Sequence, residues 1–239
     1  MRRIRIVGLC LAAVFALAAV FAGAAAAANP EYYEETKTKT VVKLAPERKV
    51  AFTSTGVPSK LEGGVVIECS SDKSKGTIKG PTHTEKVKIE YHGCTAPSIT
   101  SSCQKSPTVP GVIKTESLKA DLKEASETKG GPLSVVNEFN PEVAGKPFAK
   151  FTCGPKKELT VIVTGHIFAE QGPVNAPPSK TGFTINREKA TEEGFGCSKQ
   201  QFLFLNGGGS CQHLETGAGV SWNVSEDTVT AKFPLEIKA

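Results

Sequence analysis

Seven cysteines and four histidines are the residues of this chain best equipped for chemistry. Cys94 and Cys103 lie nine positions apart in "YHGCTAPSITSSCQ", with His92 just before the first. That spacing suits a redox pair, half of a metal site, or a covalent clasp on a loop. The thiolate is the nucleophile and the metal ligand, and a cysteine held in a disulfide is neither. Zinc sites favour clustered ligands such as CxxC or HExxH, and neither occurs. His83, Glu85, His92 and Cys94 are the nearest approach to a ligand set. His92 and Cys94 would share a face of a regular strand, but an oxidised cysteine cannot ligate. No metal is expected. His166 follows "VIVTG" on a buried-type strand and reads as a satisfied core or edge histidine. His213 is the fourth histidine.

Other reaction types find little to work with. Serine hydrolases of the elbow type need G-x-S-x-G, and none occurs. Ser210 in "GGGSC" reads as part of a Gly-rich hairpin loop. Glycoside hydrolysis wants two facing carboxylates. The aspartates are only Asp72, Asp121 and Asp227, and the glutamates mostly lie beside lysines, so no pair stands out. Trp222, the single tryptophan, alternates with Val220 and Val224 and reads as core rather than as a sugar platform. Asn223–Ser225 spells a glycosylation sequon, which has no consequence in most bacterial hosts. No P-loop, EF-hand loop or G-x-G-x-x-G is present, and no cofactor is expected.

The compartment decides how the cysteines are read. Arg2, Arg3 and Arg5 precede an uncharged run, "IVGLCLAAVFALAAVFAGAAAAA", that ends in small residues. This is the pattern of a secretory signal over residues 1–28, cleaved after Ala28. The alternative is an uncleaved membrane anchor, the run being long enough to span a bilayer. A lipoprotein signal does not fit, because Leu9 precedes Cys10 and Cys10 comes early. Residues 1–28 carry three of the 29 basic residues and none of the 24 acids. The remainder has 26 basic residues against 24 acids, a net +2. No basic run survives that would form a nucleic-acid groove. Partners are unknown; a ligand at the cell surface or outside the cell is the open possibility.

Six cysteines remain: Cys69, Cys94, Cys103, Cys153, Cys197 and Cys211. An even number in an exported chain reads as three bridges, of which 15 connectivities exist. Sequence proximity and intervening turns suggest Cys94–Cys103 and Cys197–Cys211. Cys69–Cys153 takes what is left.

The elements that would hold these residues are strands. "TEKVKIEYH" alternates Val87, Ile89 and Tyr91 with Lys86, Lys88, Glu90 and His92, which places His92 on the solvent face. "TVTAKFPLEIK" alternates Val229, Ala231, Phe233, Leu235 and Ile237 with Thr230, Lys232, Glu236 and Lys238. Period two marks half-buried strands. Pro234 in the outward set predicts an edge or a bulge. "VVIEC", "ELTVIVTGHIF" and "QFLFL" are apolar on both faces and read as central strands. "TESLKADLKEASE" fits a helix or a strand and is read as a strand, continuing from "VIKT". "NREKATEEG" is a possible helical turn. Gly/Pro-rich turns separate the runs at short intervals. The fold class is therefore all-β, a sandwich or barrel-like antiparallel domain. It spans residues 40–239, with possible sub-lobes meeting near 170–180, and follows a flexible arm over 29–39.

The run "LEGGVVIECSSDKSKGTIKGPTHTEKVKIEYHGCTAPS", a further Cys, and "GVIKTESLKADL" form a recurring layout. A strand ends in Cys, a Gly-Pro turn follows, an alternating strand ends in "GC", and a second Cys comes soon after. "AKFTCG" before "ELTVIVTGHI" continues it. The layout resembles a group of secreted β-rich proteins of high-GC Gram-positive bacteria with no assigned activity. It covers roughly residues 50–170, and Cys197 and Cys211 lie outside it. The resemblance implies fold and location but no catalytic residue. The function expected is a secreted, disulfide-stapled, non-catalytic protein with a binding or structural role. The alternatives are a hydrolase without a recognisable motif, served by His92 or His166, and a barrel for a small apolar ligand.

Overall fold

The computed structural model describes residues 29–62, 66–99, 101–105, 109–126, 134–155, 159–187, 201–204, 209–211, 213–216 and 219–239. Its strands are β1 (Glu31–Glu35), β2 (Val41–Lys43), β3 (Lys49–Gly56), β4 (Ser59–Glu62), β5 (Ile67–Cys69), β6 (Ser71–Lys79) and β7 (His83–His92). β8 (Thr95–Ala96), β9 (Ser101–Gln104), β10 (Ile113–Lys114), β11 (Leu118–Ser126), β12 (Ser134–Pro141) and β13 (Ala149–Cys153) follow. The chain ends in β14 (Leu159–Gly172), β15 (Ser179–Arg187), β16 (Gln201–Phe204), β17 (Gly209–Cys211), β18 (His213–Thr216) and β19 (Gly219–Lys238). One 3₁₀ turn, Pro97–Ile99, lies between β8 and β9. The protein is all-β and antiparallel, the class that the alternation predicts.

Alternation explains the individual strands. Val50, Phe52 and Ser54 of β3 are buried between exposed neighbours, and β7 buries Val87, Ile89 and Tyr91. Leu118, Ala120 and Leu122 of β11 face inward, which fixes "TESLKADLKEASE" as a strand. β19 buries Val229, Ala231, Leu235 and Ile237, while Phe233 is partly buried. Each large apolar side chain buried this way contributes about 1.5–3 kcal/mol relative to exposure. Pro234 lies where the β15–β19 register slips, between Thr181↔Thr230 and Ser179↔Leu235, so the irregularity that proline predicts is present.

The pairings run round two circuits. The first goes β19–β3–β6–β7–β11–β12–β14–β15 and back to β19. The second goes β19–β4–β5–β8–β9–β13–β14–β18 and back to β19. β14 and β19 belong to both. On β14 the circuits part between His166 and Ile167; on β19 they part between Val224 and Ser225. The first circuit is called here the long-ladder lobe and the second the bridged lobe. The lobes therefore do not meet at 170–180 as expected, but share two strands along their length.

Two other expectations are corrected. The arm at 29–39 is not free: β1 pairs with Leu235–Lys238 of β19 and with β2. Tyr32 is its anchor, 2% exposed, with its hydroxyl accepting a hydrogen bond from Asn137 Nδ2 at 3.0 Å. The Tyr32 backbone donates to the Pro81 carbonyl and accepts from Leu44 N. Burial pushes the Tyr32 phenol up from its ordinary pKa. A charged strand with one inward apolar residue hides its period, which is why composition suggested an arm.

"VVIEC" and "ELTVIVTGHIF" are half-buried rather than buried on both faces. Glu68, Thr160 and Ile162 face solvent, Ile162 with 43% exposure. Of "NREKATEEG", Asn186 and Arg187 belong to β15, and the rest of that possible helical turn, the side chains of "QFLFL" and residues 1–28 lie outside the described residues.

Candidate functional site

The cysteines stand in one row. Glu68↔Thr95 places Cys69 beside Cys94, and Thr95↔Ser102 places Cys94 beside Cys103. Cys103 N donates to the Cys94 carbonyl at 2.9 Å, and Cys153↔Cys103 completes the row. The bridges are Cys69–Cys94 and Cys103–Cys153, each with Cα atoms 4.0 Å apart. This corrects the expected Cys94–Cys103 and Cys69–Cys153 pairs. In a row of four, bonding the middle pair leaves the end pair three strand spacings apart. At about 4.8 Å per spacing that is about 14 Å, beyond the roughly 7 Å reach of a disulfide. Only neighbour pairing from each end satisfies all four. Spacing along the chain could not reveal this, because the row depends on β5 and β13 flanking the β8–β9 hairpin. Cys197 and the Cys211 side chain lie outside the described residues, so the third expected pair does too.

Two of the histidines stand at the ends of β7, and the other two are neighbours across a ladder. His83 Nδ1 lies 2.8 Å from Asp121 Oδ1 across the β7–β11 ladder, an exposed pair. His92 is half-buried rather than fully solvent-facing, and its Nε2 is shielded without a hydrogen-bond partner among the described residues. His166 of β14 is half-buried and stands opposite His213 of β18 in the backbone register. Among the described residues, no three His, Cys, Asp or Glu side chains gather to hold a metal.

A buried polar row crosses the long-ladder lobe where the two lobes part. Asp227, Gly56 and Asp72 lie side by side on β19, β3 and β6. Both aspartates are buried, as are Ser54 and Ser74. Ser54 Oγ donates to Asp227 Oδ2 at 2.7 Å and lies 2.5 Å from Ser74 Oγ. The Ser54 proton being committed to Asp227, Ser74 is the donor to Ser54. A Cβ at Gly56 would fall 2.5 Å from Asp72 Oδ2, so the carboxylate occupies the space that glycine leaves. Motif reasoning missed this group. The available signal was phase: Ser54, Asp72, Ser74 and Asp227 all fall on the inward period of their strands.

The apolar pockets bordered by described residues are small. The cavity bordered by Leu61, Ile67, Tyr91, Phe148 and Phe151 measures about 40 Å³, and the one by Tyr32, Phe52 and Phe139 about 20 Å³. A larger, polar cleft of about 380 Å³ opens at the end of the long-ladder lobe. Glu124, Ser134, Glu170, Gln171 and Asn175 line it. Burial pushes the Glu124 carboxyl above its ordinary pKa. Ser134 Oγ donates to Glu170 Oε1 at 2.6 Å, and Gln171 Nε2 donates to the Ala169 carbonyl at 3.1 Å. The cleft is acceptor-rich and suits hydrogen-bond donors such as hydroxyls or amines.

No family model matches the chain, and neither a curated protein nor a solved structure is found to be similar to it. Among the described residues no helix is long and apolar enough to cross a membrane.

Proposed function

We propose that the chain is a secreted, disulfide-stapled, non-catalytic protein of the cell exterior, with a binding or structural role. The observation that supports this most is the bridged row itself. Two buried disulfides among short strands are structural in character, and such bonds persist in oxidising compartments. They agree with a signal over residues 1–28 cleaved after Ala28, and with the resemblance to secreted β-rich bacterial proteins. A hydrolase would have to work through His92, whose Nε2 is shielded, or through His166, which stands opposite His213 and precedes the cleft residues Glu170 and Gln171 on β14. An apolar ligand would need a cavity of a few hundred Å³, and the two apolar pockets bordered by described residues measure about 40 and 20 Å³. Within the binding role, the polar cleft at Glu124 and Glu170 is the favoured contact surface.

Expression of the full chain in a secreting Gram-positive host tests the reading. Mature protein in the medium should begin at Asn29 and carry no reactive thiol at Cys69, Cys94, Cys103 or Cys153. Cell-retained, uncleaved chain with alkylatable thiols would sink it. For the cleft, a set of small polyols and amines should move the amide resonances of Glu124, Glu170 and Gln171 first. Shifts confined to other surfaces would reject that site.

A further inference from the structure

We propose that the four-cysteine row is a thiol–disulfide relay, able to pass an exchange event from Cys69 inward to Cys153. Three observations carry this. The four residues occupy consecutive positions across β5, β8–β9 and β13, so the unbonded neighbours Cys94 and Cys103 are as close in register as the bonded pairs. Cys69 is 8% exposed and the other three are 0% exposed, so Cys69 is the end of the row nearest solvent. The register order Cys94, Cys103, Cys153 is also the succession of attacking, central and leaving residues that an exchange along the row needs.

The chemistry balances with a low-molecular-weight thiol as the only co-reactant. Its thiolate attacks Cys69 Sγ, forms a mixed disulfide there, and expels Cys94 as a thiolate. Cys94 then attacks Cys103 Sγ, forming Cys94–Cys103 and breaking Cys103–Cys153. Cys153 leaves as a thiolate and takes up the proton lost by the incoming thiol. The number of disulfides is unchanged, and no further oxidant or reductant is consumed. The bond that local spacing favours, Cys94–Cys103, is thus the relay's second state, and the bridges found are its resting state.

The Cys69→Ser variant of the full chain tests this, because it leaves a permanent thiol on Cys94 beside the Cys103–Cys153 bond. Acid quenching, alkylation and peptide mapping should find two populations. One has Cys94 alkylated with Cys103–Cys153 intact; the other has Cys153 alkylated with Cys94–Cys103 formed. Alkylation of Cys94 alone overturns the relay. In the Cys94→Ser control, labelling of Cys153 should fall to background; labelling equal to that of Cys69→Ser would show exchange bypassing the row and also overturn it. Should Cys69→Ser not fold, wild-type protein treated with limiting 2-mercaptoethanol gives the same reading. The mixed disulfide at Cys69 should then accompany an alkylated Cys153, and an alkylated Cys94 in its place rejects the proposal.

Discussion

The two lobes reach stability by different means. The long-ladder lobe pairs strands such as β3, β6 and β7, of 8, 9 and 10 residues, over long registers. The bridged lobe runs through β5, β8 and β9, of 3, 2 and 4 residues, and its β5–β8 ladder has one register pair, Glu68↔Thr95. Both disulfides found among the described residues lie in that lobe. A short ladder supplies few hydrogen bonds and little cross-strand packing. A covalent link instead lowers the entropy of the unfolded chain. Crosslinks thus stand where ladders are too short to hold the sheet.

Removing residues 229–239 should have the largest effect. It takes away Val229, Ala231, Leu235 and Ile237 and the partner of β1. No protease-resistant, soluble product should form. Recovery of one, with the bridged lobe alone intact, would show the lobes to be independent.

Next comes Cys103→Ser with Cys153→Ser. Opening a loop of 50 residues costs about 4 kcal/mol on the chain-entropy model. Hydrogen exchange should accelerate in Ile67–Cys69 and Ser101–Gln104 before it does in β6 and β7. Uniform acceleration across both lobes would erase the distinction drawn between them.

In the long-ladder lobe, Tyr32→Phe removes the acceptor of the Asn137 amide and should cost about 1–3 kcal/mol in urea unfolding. Adding Asn137→Leu should restore part of that loss. No change in either variant would make β1 a passive cover.

Acidification should have the smallest effect. The hydrogen bond from Lys114 holds the Glu90 carboxyl below its ordinary pKa, and that from Lys105 does the same for Glu116. A depressed acid stabilises the fold above its unfolded-state value, and that contribution fades as pH falls through the folded value. Both pairs are solvent-screened, so each contributes about 0.5 kcal/mol or less. Tm of Lys114→Met should lie closer to wild type near pH 3 than near pH 7. An equal gap at both pH values would assign the Lys114 effect to packing.

Much of the fold was legible because period two is a local property. β7 and β19 could be read from their own residues, whereas β11 needed the strand-like "VIKT" before it. The candidate sites were less so. The cysteine pairing and the Asp227–Gly56–Asp72 row depend on which strands lie side by side, and no single strand carries that information. β1 failed for a narrower reason, since Tyr32 is its single deeply buried residue. Ile162 misled because an exposed isoleucine in a strand looks like a buried one.

The sharing of β14 and β19 also bears on how this gene could be divided. Each strand gives one stretch to each lobe, and the remaining strands of the two lobes alternate along the chain. No cut at one peptide bond leaves each lobe whole on its own fragment. The unit available for clean duplication or fusion is therefore the pair, because a cut that spares one lobe carries strands of the other with it.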